Sequence, residues 1–139
     1  MADFVIDASI ACAWCFPDER TDYTHSILKT LESDAEAIAP SLWAVEIGNS
    51  VLMGMRRKRI SLSDAEEFLI AVRDFKVTLF EPPAPHLLFS FAHQHTLTAY
   101  DAAYLYLAHE MGLPLATLDR QLIRAAEQLG HPIFVPQQI

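Results

Sequence analysis

The sequence predicts an α/β fold with a parallel sheet covered on both faces by helices. Three observations carry this reading. Five short apolar runs recur along the chain, each separated from the next by segments of helical periodicity. Alternation of that kind favours parallel strands joined by right-handed crossovers. The first run, Phe4-Val5-Ile6, shows no polar alternation, as expected of a strand buried on both faces. Finally, no repeat, low-complexity stretch or linker interrupts the 139 residues, so one domain over 1–139 is expected.

In chain order, Asp3–Ser9 is the first strand and its exit, with Asp7 placed where the sheet's carboxyl edge should lie. Ile10, Ala11, Ala13 and Trp14 continue as a helix that Pro17 stops. Thr21 to Leu31 forms a second helix with Tyr23, Ile27, Leu28 and Leu31 on its apolar side, and Glu36–Ala39 a second strand ended by Pro40. Ser41 is expected to cap a helix to about Met55, with Leu42, Val45, Val51, Leu52 and Met55 as its apolar stripe. Ser63-Asp64-Ala65-Glu66 reads as a capping box opening a helix to about Phe75. Lys76–Phe80 is a third strand, and Pro82, Pro83 and Pro85 lead into a helix containing Leu87, Leu88, Phe91 and Ala92. Thr98 and Asp101 form a second capping box on a helix to about Met111, which Gly112 closes. Leu115–Leu118 is a fourth strand, Arg120–Leu129 a last helix closed by Gly130, and Pro132–Val135 a fifth strand.

Hydrophobic residues make up 52% and charged residues 20%, enough for a full core and against disorder. No apolar run reaches bilayer length and no signal peptide is apparent, so a cytoplasmic protein is expected. A net charge of −8 argues against non-specific nucleic-acid binding, but not against an enzyme that concentrates its acids at a metal or one with a basic partner. Cys12 and Cys15 have a redox-like spacing, but on a helix they share a face, and two core thiols are the better reading. His93 and His95 lack a third ligand nearby and read as surface or packing residues. Arg56, Arg57, Lys58 and Arg59 hold four of the ten basic residues: they either complement a helix C-terminus or contact phosphates.

Four acids stand out by position: Asp7 after the first strand, Glu46 inside a helix, Asp101 in a first helical turn, and Asp119 after the fourth strand. Singly, each has a plain explanation as a helix cap or a solvated helix residue. As a set they are more informative, because Asp7 and Asp119 share one edge of a parallel sheet. Two carboxylates ~5 Å apart repel by ~3 kcal/mol at an effective dielectric of 20, which a cation would offset. All-oxygen ligation points to Mg2+ or Mn2+.

Val5-Ile6-Asp7-Ala8-Ser9, Pro40-Ser41-Leu42-Trp43 with Glu46 and Asn49, Leu97 to Leu105, and Thr117-Leu118-Asp119 resemble the successive motifs of PIN-domain ribonucleases. The resemblance is nearest to the VapC toxins of toxin–antitoxin pairs and spans almost the whole chain. It implies a PIN-like three-layer α/β/α fold with a five-stranded sheet in the order 3-2-1-4-5. It implies endoribonuclease activity with Mg2+ or Mn2+ on Asp7, Glu46, Asp101 and Asp119, supported by Ser9, Asn49 and Thr117. It further implies an RNA substrate, often transfer RNA, a VapB-type antitoxin and a homodimer. The reaction expected is metal-assisted in-line hydrolysis of a phosphodiester, giving a 5′-phosphate and a 3′-hydroxyl without 2′-hydroxyl attack.

Rival readings are weaker. Haloacid-dehalogenase-type phosphatases need a second Asp two places after the first, where this chain has Ser9. Receiver domains usually carry a lysine after the last strand, and no lysine follows Lys76. A PIN fold retained only for binding a partner would not need the intact acidic set.

Overall fold

The computed structural model of the chain describes residues 2–136. Its elements run β1 (Phe4–Ile6), α1 (Ala8–Cys15), a 3-10 turn (Pro17–Glu19), α2 (Asp22–Glu32), β2 (Ala37–Pro40), α3 (Leu42–Arg56) and α4 (Leu62–Arg73), then β3 (Val77–Phe80), α5 (Pro85–His95), α6 (Ala99–Met111), β4 (Leu115–Ala116) and α7 (Arg120–Leu129). The sheet is parallel, in the order β3-β2-β1-β4.

β1 lies at the centre because its three residues have no polar side chain to keep wet, and Phe4, Val5 and Ile6 are completely buried. Its register pairs Val5 with Ile38 of β2 on one side and with Leu115 of β4 on the other. The order reverses here: the chain leaves β1 towards β2 and returns much later to β4. With right-handed crossovers, α1–α4 cover one face and α5–α7 the other. α1 packs on α2, α3 and α4, and α6 lies across β1, β2 and β4. Two indole N–H groups pin the helices: Trp14 donates to the Thr24 carbonyl (2.8 Å) and Trp43 to the Asp7 carbonyl (3.2 Å).

Several sequence expectations need correction. The expected fifth strand is reduced to one parallel bridge, Ile133 beside Leu115, so the sheet has four strands among the described residues. Pro132 opens this segment and has no N–H to extend a ladder. β3 is an edge strand, and its Thr78, Leu79 and Phe80 are exposed rather than covered. Ser41 does not cap α3 with its side chain, because its own backbone is already helical (φ −58°, ψ −26°). Ser61, not Ser63, caps α4: its extended backbone lets the hydroxyl accept from the Asp64 N–H at 3.1 Å, whereas Ser63 lies inside the first turn. The buried face of α3 is Trp43, Ile47, Val51 and Gly54, a better helical repeat than the expected stripe, whose Val45 and Leu52 are exposed.

Elsewhere the expected elements stand. Ile27 and Leu31 are buried on α2, with Tyr23 and Leu28 packed against the core. Cys12 is buried and Cys15 half-buried, and both are free thiols; burial pushes the Cys12 thiol up to about 11, as suits an inert core residue. His95 packs on the Phe91 ring, 4.4 Å between centroids, and His93 stacks beside Phe89.

At Gly54 the absence of a side chain matters. A Cβ there would stand 2.4 Å from Cζ of Phe16, which is only 3% exposed and has little room to yield. Gly54→Ala gains about 1 kcal/mol of helix propensity but should cost about 1–3 kcal/mol in overpacking. A lowered urea midpoint is expected; an unchanged or raised midpoint would show that the Phe16 ring moves freely.

Candidate active site

The carboxyl ends of β1 and β4 flank the point where strand order reverses, the usual binding crevice of an open α/β sheet. A cleft of about 350 Å³ opens there, and Asp7, Glu46, Asp101 and Asp119 all line it. Ser9 and Asn49 line it too, while Thr117 lies buried behind Asp7. All four acids singled out in the sequence therefore share one cavity.

Lining the cleft does not stop Asp7 and Asp119 from capping helices, whereas the expected Thr98–Asp101 capping box forms only its Thr98 half. Asp7 caps α1, its carboxylate accepting from the Ile10 N–H at 3.4 Å. Asp119 caps α7, accepting from the N–H groups of Gln121 (2.8 Å) and Leu122 (3.0 Å). Asp101 occupies the first turn of α6, and its own N–H donates to the Thr98 hydroxyl at 3.1 Å. Three helix N-termini thus turn their positive ends towards the cleft, which eases the crowding of acids.

Asp7 is held from both sides. Ser9 donates to its Oδ1 at 2.6 Å and accepts from the Leu118 N–H at 3.0 Å. Thr117 donates to its Oδ2 and accepts from the Asp119 N–H at 2.9 Å. Each hydroxyl is a relay from a β4-end amide to the β1-end carboxylate, so Ser9 and Thr117 set the position of Asp7 rather than merely filling a turn. Burial pushes the Asp7 carboxyl up to about 7 despite these hydrogen bonds, and the Asp119 charge adds to the rise. Asp101 is raised by burial and then by the charges of Asp119 and Glu46.

Glu46 reaches the cleft from α3 and accepts a hydrogen bond from the Tyr104 hydroxyl. Burial and that carboxylate hold the Tyr104 phenol well above its ordinary range, so it remains a donor. Sequence reading missed this residue. The available signal was its position three places after Asp101, which puts both on one face of α6. Cys12, Glu19 and Ser50 also line the cleft unforeseen. Glu19 sits in a turn after Pro17, where no periodicity could have announced it.

Neither lysine, arginine nor histidine lines the cleft among the described residues. Nor do three histidine, cysteine, aspartate or glutamate side chains converge closely enough there to grip one metal ion in this arrangement. The donor set nevertheless fits a hard divalent cation in kind: carboxylate oxygens in partial burial, raising one another's affinity for positive charge.

The basic run falls beside the cleft, not in it. Arg59 donates to Asp18 (2.9 and 3.1 Å) and Glu19 (2.8 Å), and its guanidinium lies 4.1 Å above the Phe16 ring. Arg57 shares with Arg59 a recess next to the acids. The Arg57 amide caps α3, and Lys58 adopts a left-handed backbone, φ 61°.

Comparisons with known proteins bear on the family and the fold. The family model for the PIN domain matches residues 4–128. The chain is 32% identical over 131 residues to Ribonuclease VapC3 of Pyrobaculum aerophilum, covering 92% of this chain and 98% of that protein. It is 36% identical over 78 residues to Exonuclease VapC9 of the same organism, covering 56% of this chain and 58% of that protein. Among solved structures, PAE2754 from Pyrobaculum aerophilum superposes with a TM-score of 0.70 at 27% identity, over 89% of this chain and 84% of that one. FitAcB from Neisseria gonorrhoeae shares the fold, with a TM-score of 0.64 at 16% identity over 98% and 99% of the two chains.

The raised Asp7 carboxyl gives a stability signature in EDTA. Between pH 3.8 and about 7 the unfolded chain releases this proton and the folded chain keeps it. Its contribution is therefore fully present below that window and is lost as pH rises through it. Asp7→Asn should gain on the wild type by up to roughly 4 kcal/mol across the same window and no further above it. Urea unfolding of both proteins at the two ends of the window checks this; an equal difference at both ends would contradict it.

Proposed function

The chain belongs to the PIN-domain family, and from that premise we propose that it is a metal-dependent endoribonuclease of VapC type. The observation that carries the reading is the gathering of Asp7, Glu46, Asp101 and Asp119 in one cleft lined, among the described residues, by no basic side chain. Such a cleft repels a phosphodiester unless cations stand between them. Mg2+ or Mn2+ is proposed for that place, held by those four acids.

In this reading each residue has a separable task. Asp7 is the fixed ligand, because the Ser9 and Thr117 hydroxyls hold both its oxygens. Glu46 is aimed by Tyr104, and Asp101 and Asp119 are placed by helix N-termini. Asn49 offers a neutral amide on the cleft wall. The bound cation supplies Lewis acidity and charge compensation for hydrolysis of the phosphodiester to a 5′-phosphate and a 3′-hydroxyl. Among the described residues the cleft has no histidine, so a histidine acid–base pair with 2′-hydroxyl attack is not available to it.

RNA, transfer RNA included, is the proposed substrate, with the Arg56–Arg59 run beside the cleft as a source of phosphate contacts. A VapB-type antitoxin, a homodimer and a cytoplasmic setting complete the reading by family analogy. Among the described residues no helix is long and apolar enough to cross a membrane.

Three measurements test this. Purified, antitoxin-free protein should cleave RNA with Mn2+ or Mg2+ and not with EDTA, and Asp7→Asn or Asp101→Asn should lower the rate at least about 100-fold. Cleavage in EDTA, or full activity in both variants, would sink the proposal. A circular RNA should be linearised, leaving a 5′-phosphate; persistence of circles while linear RNA is degraded from its ends would replace the endonuclease with an exonuclease. Tyr104→Phe should raise the Mn2+ concentration for half-maximal rate about tenfold, because Glu46 loses its donor. An unchanged Mn2+ dependence would show that the hydrogen bond does not position Glu46.

A further inference from the structure

We propose that the recess beside the acidic cleft is a subsite for one phosphodiester flanking the scissile one, gripped by Arg57, while Arg59 builds its wall. The inference rests on the ribonuclease reading and deepens it by dividing the basic run into parts with different work.

The recess holds about 300 Å³ and adjoins the acidic cleft. The two cavities share Cys12, Glu19, Asn49 and Ser50, so a polymer lying over the four acids comes next to the recess. Among the described lining residues, Arg57 and Arg59 are the recess's basic side chains, and Arg56 and Lys58 are not part of it.

The two arginines differ in what already holds them. Arg59 spans from the end of α3 to the 3-10 turn, bonding both Asp18 and Glu19 and resting on Phe16. Its charge is matched by two carboxylates, and Phe16 can sit beneath it only because Gly54 leaves room. This assembly forms the wall. Arg57 is exposed, and none of the described ion pairs includes it. Its position is nevertheless set, because its backbone N–H closes α3 on the Met53 carbonyl at 3.0 Å. An unmatched guanidinium on a fixed backbone, beside a cleft where phosphodiesters react, suits two-pronged binding of a phosphate. The Asn49 amide and Ser50 hydroxyl on the shared wall add neutral donors.

The test uses fluorescein-labelled transfer RNA, Mg2+ and full-length Asp101→Asn protein, which keeps the RNA intact, with anisotropy read across a KCl series. Adding Arg57→Ala should weaken binding about tenfold and lower the log–log salt slope by about one. Arg56→Ala should change neither to that extent. Arg59→Ala should lower the urea midpoint, and Arg57→Ala should leave it in place. An unchanged salt slope with Arg57→Ala, an equal loss with Arg56→Ala, or a urea midpoint lowered as much by Arg57→Ala as by Arg59→Ala would each overturn the subsite. Cleavage of the same RNA by wild-type protein is measured in parallel. Cleavage with an unchanged slope removes the subsite alone; loss of binding on Arg57→Ala without wild-type cleavage removes the hydrolytic reading and leaves the phosphate contact standing.

Discussion

The structure turns on a carboxylate that is costly to bury. Asp7 is 4% exposed at the end of a fully apolar strand, and an unpartnered charge there would not be tolerated. Its tolerance comes from two hydroxyls, each carrying a hydrogen bond from a backbone amide at the end of β4 to one of its oxygens. The sheet junction and the candidate site are consequently the same set of bonds. A change that loosened one would disturb the other, because Ser9 and Thr117 serve both.

This economy extends around the cleft. Three of its four acids are at helix starts, where a carboxylate either satisfies orphan amides or sits within the reach of the helix dipole. The fourth, Glu46, lies mid-helix and has no such support, and Tyr104 provides a substitute. Negative charge is thereby concentrated without a basic residue in the lining among those described. Arginine is displaced to the neighbouring recess, where Arg59 is neutralised and Arg57 is not. On the proposed reading, the cleft attracts a cation while the adjoining surface receives an anion.

Most of the fold was legible in the sequence because its signals are local. The Phe4–Ile6 run, the Thr98 cap and the Gly112 and Gly130 stops depend on neighbours within a few residues, and each appears where expected. The placement of Asp7, Asp101 and Asp119 was legible for a related reason: strand ends and first turns face one edge of a parallel sheet. What the sequence concealed depended on partners far along the chain. The buried side of α3 is decided by what α1 and α4 press against it, and Val45 and Leu52 look as apolar as Ile47 and Val51. Ser61 and Ser63 are equivalent in a capping pattern until the backbone selects the extended one. The fifth strand failed at Pro132, where pairing shrinks to a single bridge. The bond from Tyr104 to Glu46 joins residues 58 positions apart, beyond the reach of any periodicity.

The bond between Thr117 and Asp7 joins residues 110 positions apart, and β4, which brings them together, is only two residues long. During synthesis, a chain that has not yet exposed this strand can fold its first helices but has no second wall for the cleft. Contacts so distant in sequence form late, after shorter loops have closed. A cleft with this wiring would close only once residues 115–119 are available to β1, well after Asp7 and Glu46 have been made.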